Sequence, residues 1–176
     1  MADAQTEAAA TALLDLCKAK KLMIATAESC TGGLVAGALT DIAGSSAVVD
    51  RGFVTYTNEA KQQMLGVPLD TLKQHGAVSR QTAEAMATGV LEHSPADLSV
   101  SITGIAGPDG GTADKPVGLV HFGAAARSGK LIHRERRFGD LGRAEVRRLS
   151  VLEALAMLSE LATGDKPISE SMFRRD

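Results

Sequence analysis

One short stretch of the sequence crowds several reactive side chains together. In TAESCTGGLVAG, residues 26–37, Ser29, Cys30 and Thr31 stand between Glu28 and the pair Gly32 and Gly33. A serine hydroxyl becomes a nucleophile only beside a base that takes its proton. Histidine is the usual base, and the chain has four: His75, His93, His121 and His133. None stands in a triad context. His75 and His93 fall near expected helix ends, where an imidazole complements the helix dipole. His121 and His133 fall on expected strands. The other solution is a lysine kept neutral by burial. Lys61 is the candidate, one turn into an expected helix, although a helix lysine is ordinarily solvated. Tyr56, the single tyrosine, could carry a proton or orient an ammonium, or simply sit half-buried at a strand end. Lys61 lies five residues on, so the Tyr-x-x-x-Lys spacing of short-chain dehydrogenases is not met. Cys30 is a rival nucleophile, because a helix N-terminus lowers a thiol's pKa; a small buried cysteine is the commoner fate.

The surrounding pattern is an apolar run, LMIAT (22–26), then this turn, then GLVAGALT. Read as strand, turn and helix, it places AESCTGG at the carboxyl end of a strand, where ligands bind in open α/β sheets. Unpaired N–H groups at a helix start can hold a phosphate or a developing oxyanion, and Gly32 and Gly33 let a ligand approach closely. The bland alternative is a hydroxyl cap with two glycines for packing. No Gly-Lys-Ser/Thr follows, which disfavours ATP binding of the Walker type. A second loop, SITGIAGPDGGTADKPVG, follows an expected strand. Thr103 offers a hydroxyl there, and Gly104, Gly107, Gly110 and Gly111 expose backbone that could wrap a phosphate; alone, a glycine-rich loop is a weak signal. Residues 127–148 hold eight Lys or Arg against three Asp or Glu. Such a run is ordinarily a solvated face, or one of its arginines grips a phosphate. Arg143 and Arg147 share a helix face, and Arg147 is the preferred candidate.

The totals narrow the classes. A chain of 176 residues, 44% hydrophobic and 23% charged, can bury a sizeable core. A net charge of −2 and 3% aromatics argue against coating a polyanion or stacking bases. Cys17 and Cys30 have no CxxC spacing and the histidines no HExxH, so a zinc site is not expected. Two thiols suit a reducing compartment. The first twenty residues lack the charged start and apolar core of a secretory signal, and no apolar run reaches membrane-spanning length.

The elements that must position these residues follow from periodicity and punctuation. Helices are expected over 4–20, over 33–44 with a left-handed cap at Gly44, from an Asn58 cap to Gly66, from Pro68 to about Gly76, from a Ser79 cap to Pro95, and over 142–162. Strands are expected over 22–26, 47–56 with a bulge at Gly52, and 98–103, followed by a hairpin of 119–126 and 130–138 turning at Ser128 and Gly129. The alternation predicts a three-layer α/β/α domain with a mixed, mostly parallel sheet over residues 1–163. Residues 164–176 read as a tail.

TAESCTGGLVAGALTDIAGSS, RGFVTYTNEAKQQMLGV, QHGAVS and SITGIAGPDGGTADKPVGLV, in this order, resemble the successive signatures of the CinA C-terminal domain family, over about residues 5–163. Free-standing members of that family are nicotinamide mononucleotide deamidases. The resemblance implies hydrolysis of the carboxamide of nicotinamide mononucleotide to nicotinic acid mononucleotide and ammonia, in pyridine nucleotide salvage, without metal, ATP or other cofactor. It implies a homodimer in the bacterial cytoplasm, with no membrane partner and no direct nucleic-acid binding. It assigns Ser29 as nucleophile, Lys61 as its base and Tyr56 as a supporting residue. Substrate contacts are expected from Cys30, Thr31, Gly32, Gly33, Thr103, Gly104, Ala106, Gly107 and Arg147. Donors around Cys30 to Gly33 would stabilise the oxyanion. Longer members carry an additional N-terminal domain, whose separate activity is not expected here. A binding role in DNA uptake is the competing class, and a salt-dependent affinity for DNA would mark it.

Overall fold

The computed structural model describes residues 2–164. Helix α1, Ala4–Lys20, starts where the Asp3 carboxylate accepts the Thr6 N–H at 2.9 Å and stops at Lys21, which takes a left-handed conformation. Strand β1, Ile24–Glu28, leads through the reactive turn into α2, Leu34–Thr40, and β2, Val49–Val54. Three helices follow: α3, Asn58–Leu65; α4, Leu69–His75; and α5, Arg80–Glu92. Then come β3, Leu98–Gly104, β4, Leu119–Ala126, β5, Leu131–Arg137, and α6, Arg143–Gly164.

The five strands form one sheet in the order β2-β1-β3-β4-β5. Strands β2 and β3 run parallel to β1, β4 runs antiparallel to β3, and β5 antiparallel to β4. Four strands therefore share a direction, and β4 alone opposes them. The chain leaves β1 for β2 on one side and crosses back to β3 on the other, so the strand order reverses at β1. The carboxyl ends of β1, β2 and β3 meet there, which is where open α/β sheets bind ligands.

Helices cover both faces. One face carries α1, α2 and α6 over Ile24, Val100, Ile102 and Phe122, closed by Leu13, Leu14, Leu155 and Leu158. Each such leucine contributes about 1.5–3 kcal/mol by leaving water. On the other face Met86 and Val90 of α5 pack on Ala25 and Ala27 of β1, with Leu65, Val67 and Leu72 alongside. A row of hydroxyls fixes this layer. Ser99, Ser101 and Thr103, alternate residues of β3, donate to the carbonyls of Ala87, Ala83 and Ala77 at 2.6–2.8 Å. Two glycines allow close approach: a Cβ on Gly89 would lie 2.1 Å from the Leu65 carbonyl oxygen, and one on Gly123 would lie 2.5 Å from that of Ala83.

Several boundaries differ from the sequence expectation. Strand β1 begins two residues later and ends on Glu28, a charge that reads as loop in the sequence but is buried here. Helix α2 stops at Thr40; Gly44 is left-handed but opens a 3₁₀ turn, Ser45–Ala47, instead of capping α2. The bulge lies beside Asp50, where the register jumps from Ile24–Val49 to Ala25–Arg51, while Gly52 pairs regularly with Thr26. Thr57, not Asn58, caps α3, its hydroxyl accepting the Ala60 N–H at 3.0 Å. Residues 165–176, the greater part of the expected tail, lie outside the described residues. No helix among the described residues is long and apolar enough to cross a membrane.

Candidate active site

Ser29 is the first residue after β1, and its N–H donates to the Ile102 carbonyl of β3 at 2.9 Å. That bond holds the serine at the point where the strand order reverses. The Lys61 Nζ lies 3.1 Å from the Ser29 Oγ, 3.0 Å from the Thr55 carbonyl oxygen and 3.3 Å from that of Tyr56. The lysine comes from the second turn of α3, which the contact of Gly89 with Leu65 presses against α5. Its side chain is buried, at 1% exposure. No carboxylate among the described residues pairs with it. Burial therefore pushes the ammonium below its ordinary value, and the Cys30 thiol opposes this only in part.

A neutral amine has two N–H bonds and one lone pair. Two carbonyls face Lys61, enough to take both N–H bonds of a neutral amine. In that protonation state its lone pair would face the Ser29 hydroxyl, as a general base requires. Cys30 offers no comparable nucleophile: it is 6% exposed, and burial pushes its thiol up to about 11. Thiolate at neutral pH is correspondingly scarce.

The donors for an oxyanion differ from the expected helix start. Helix α2 has no capping side chain at Gly33; instead the buried Glu28 carboxylate accepts the N–H groups of Val35 at 2.8 Å and Ala36 at 3.1 Å. The Gly32 N–H closes the turn onto the Ser29 carbonyl at 3.0 Å, and the Leu34 N–H onto that of Thr31 at 3.0 Å. Directly after the serine, the Thr31 N–H has no acceptor among the described residues, and the Cys30 N–H meets only its own thiol.

A cleft of about 290 Å³ opens over this constellation. Ser29, Cys30, Tyr56, Lys61, Thr103, Gly104, Ala106 and Gly107 line it, all of them expected from the sequence. Thr31, Gly32, Gly33 and Arg147 do not line it. The Arg147 guanidinium sits behind the turn, with Nε donating to the Cys30 carbonyl at 3.1 Å and Nη2 to that of Thr31 at 3.3 Å. Arg143 takes the place in the cleft expected of Arg147: it donates to the Gly107 carbonyl at 2.9 Å and to the Tyr56 phenol oxygen at 3.0 Å. The Tyr56 side chain is 58% exposed, so its carbonyl reaches the lysine while its ring stands at the rim.

Gly110, one of the loop glycines the sequence offers for a phosphate, also lines the cleft; Ala77, Val78, Ile105 and Asp109 complete the lining and carry no sequence signal of their own. The Thr103 hydroxyl, donating to Ala77, is what draws the segment before α5 to the cleft. A larger cleft of about 730 Å³ lies between α1, α2 and α6, bounded by Asp3, Leu34, Asp41 and Arg148, with no serine, cysteine, histidine or lysine in its lining. No group of three or more His, Cys, Asp or Glu among the described residues could hold a metal ion.

Over residues 6–162 the chain matches the CinA C-terminal domain. It is 56% identical over 142 residues to the nicotinamide-nucleotide amidohydrolase PncC of Escherichia coli strain K12, covering 80% of this chain and 85% of that protein. It is 48% identical over 148 residues to a CinA-like protein of Geobacter sulfurreducens, of whose length it spans 35%. The crystal structure of the competence/damage inducible protein CihA from Agrobacterium tumefaciens superposes with a TM-score of 0.91 at 57% identity, over 92% of this chain and 98% of that one.

Proposed function

From the premise that the chain belongs to the CinA C-terminal domain family, we propose that it is a nicotinamide-nucleotide amidohydrolase acting through a Ser29–Lys61 pair. The name and 56% identity of the Escherichia coli relative support the reaction. The observation that carries the mechanism is the Lys61 Nζ 3.1 Å from the Ser29 Oγ, with two carbonyls fixing its remaining valences.

The steps follow from these groups. Neutral Lys61 takes the Ser29 proton as Oγ bonds to the carboxamide carbon of nicotinamide mononucleotide. The carbonyl oxygen becomes an oxyanion facing the N–H groups of Cys30 and Thr31. Lys61, now an ammonium, returns its proton to the departing amide nitrogen; the C–N bond breaks and ammonia leaves. A water then attacks the acyl-serine, giving its proton to Lys61. The ester bond breaks, Ser29 recovers its proton, and nicotinic acid mononucleotide is released. The pyridinium ring withdraws electrons from the amide and eases the first attack. Arg143 at the rim is the cation placed for the substrate phosphate.

The test is ammonia release from nicotinamide mononucleotide in EDTA without ATP. Wild type should be active, Ser29→Ala inactive, and Cys30→Ala within a few-fold of wild type. Activity surviving in Ser29→Ala would remove the mechanism; no activity in wild type would remove the substrate. The reading includes a homodimer, supported by the open edge of β2 and by exposed Leu34 and Val54 beside it. Sedimentation at twice the chain mass of 18.2 kDa checks that part.

A further inference from the structure

We propose that Arg147 and Glu28 are positioning residues that together hold the Ser29–Gly33 turn and aim the N–H groups of Cys30 and Thr31 at the reacting carbonyl. This rests on the serine–lysine reading above.

The turn must satisfy two demands that conflict. Its N–H groups have to stay uncommitted, and a turn without backbone pairing is mobile. The structure meets both by holding the carbonyls. Arg147 donates to the Cys30 and Thr31 carbonyl oxygens through two nitrogens of one rigid guanidinium. In a trans peptide the carbonyl and the following N–H point in opposite directions. Drawing the Cys30 carbonyl toward Arg147 therefore turns the Thr31 N–H away from it. The Gly32 N–H holds the Ser29 carbonyl in the same way, which turns the Cys30 N–H outward. Gly32 is left-handed, with φ +58, and a Cβ there would stand 3.5 Å from the Arg147 Nη2, so the guanidinium packs directly on the turn.

Glu28 anchors the other end. Its carboxylate, 1% exposed, binds one N–H with each oxygen at the start of α2. It neutralises the positive end of that helix and ties it to the residue preceding the nucleophile. Arg147 thus takes carbonyls within the five-residue turn, and Glu28 takes N–H groups just after it. The clamp also links α6 to the site, since Arg147 lies in its second turn.

The experiment separates positioning from phosphate binding. Arg147→Gln, Arg147→Lys and Glu28→Gln are compared with wild type in three readouts. The first is kcat and KM for ammonia release from nicotinamide mononucleotide; the second is the same for its nucleoside, which lacks the phosphate. The third is the rate at which a fluorophosphonate labels Ser29, forming an O–P bond and expelling fluoride. Expected for Arg147→Gln is a fall of about 10²-fold in kcat on both substrates, the cost of misplacing an oxyanion donor. KM should stay within threefold, and labelling should slow in parallel, at an unchanged circular dichroism spectrum. Arg147→Lys should restore only part, because one ammonium cannot span two carbonyls. Glu28→Gln, nearly isosteric, should show the same signature and serves if Arg147→Gln does not fold.

A rise in KM confined to the nucleotide would overturn the proposal in favour of a phosphate contact. Labelling at wild-type rate in both Arg147→Gln and Glu28→Gln would also overturn it. Labelling needs no knowledge of the natural substrate. A wild type that is labelled but leaves nicotinamide mononucleotide intact would therefore refute the substrate reading alone.

Discussion

The proposed mechanism requires Lys61 without a proton, and burial shifts its pKa in that direction. Activity should rise with pH through the lowered pKa of this amine and fall as acid restores the ammonium. The acid limb of kcat/KM should therefore lie below the ordinary lysine value of about 10.4. Lys61→Arg keeps length and charge but introduces a group that does not deprotonate. It should cost roughly 10²–10⁴ in kcat, the usual span for losing a general base, while a circular dichroism melt stays cooperative. The sequence names the serine, the lysine and the tyrosine through their motifs, yet leaves their relations open. Nothing in TYTNEAK tells that Tyr56 contributes its carbonyl to the lysine and its phenol to Arg143. Nor does ESCTGG tell that Glu28 turns inward; a carboxylate beside a reactive turn looks like a solvated acid until α2 is placed over it.

At the level of elements, α3 carries the proposed base and has little hold of its own, with only Lys61 and Leu65 buried. Its position depends on Gly89, where α5 comes close enough that a methyl would strike the Leu65 carbonyl oxygen. Gly89→Ala should destabilise by about 1–3 kcal/mol through overpacking, measured by urea denaturation. It should also lower kcat, because the displacement moves Lys61 away from Ser29. The long elements are legible from periodicity and caps: α1, α5 and α6, and the hairpin of β4 and β5. The short ones are not. Strand β1 is read two residues early because its five buried residues carry no alternation and end on an acid. The stretch after Thr40 reads as helix because Asp41 and Ile42 continue the pattern, while Gly44 turns left-handed. Arg143 and Arg147 share one helix face, so the sequence separates them only by assuming a phosphate near the helix start; in the structure Arg143 reaches the cleft, and Arg147 reaches the carbonyls of the Ser29–Gly33 turn.

At the scale of the whole molecule, the sheet carries a histidine pair, one buried and one half-buried, outside the lining of the cleft. His121 on β4 and His133 on β5 share a hydrogen bond of 2.9 Å, with Glu135 at 3.6 Å from His121. Burial holds both below their ordinary pKa. For His121 the neighbouring His133, Lys115 and Arg137 reinforce this; for His133, Arg80 does. Glu135 opposes it at both, and Glu84 at His133. The unfolded chain, with histidines near 6.5, binds protons that the folded protein refuses. Stability should therefore decline as pH falls from about 6.5 toward the depressed folded values. A series of thermal midpoints between pH 7.5 and 5 should show the slope, and His133→Gln should flatten it. The hairpin joining these strands turns at Gly129, at the opposite end of the strands from the cleft, where a Cβ would meet no atom within 4 Å. Ser29, Tyr56 and Lys61 precede that turn, and Arg143 and Arg147 follow it. A chain severed there yields one half with the serine and its base and another with the arginines. Neither half alone should liberate ammonia, and mixing them should restore the reaction, so the fold contains a ready break point for a split-enzyme reporter.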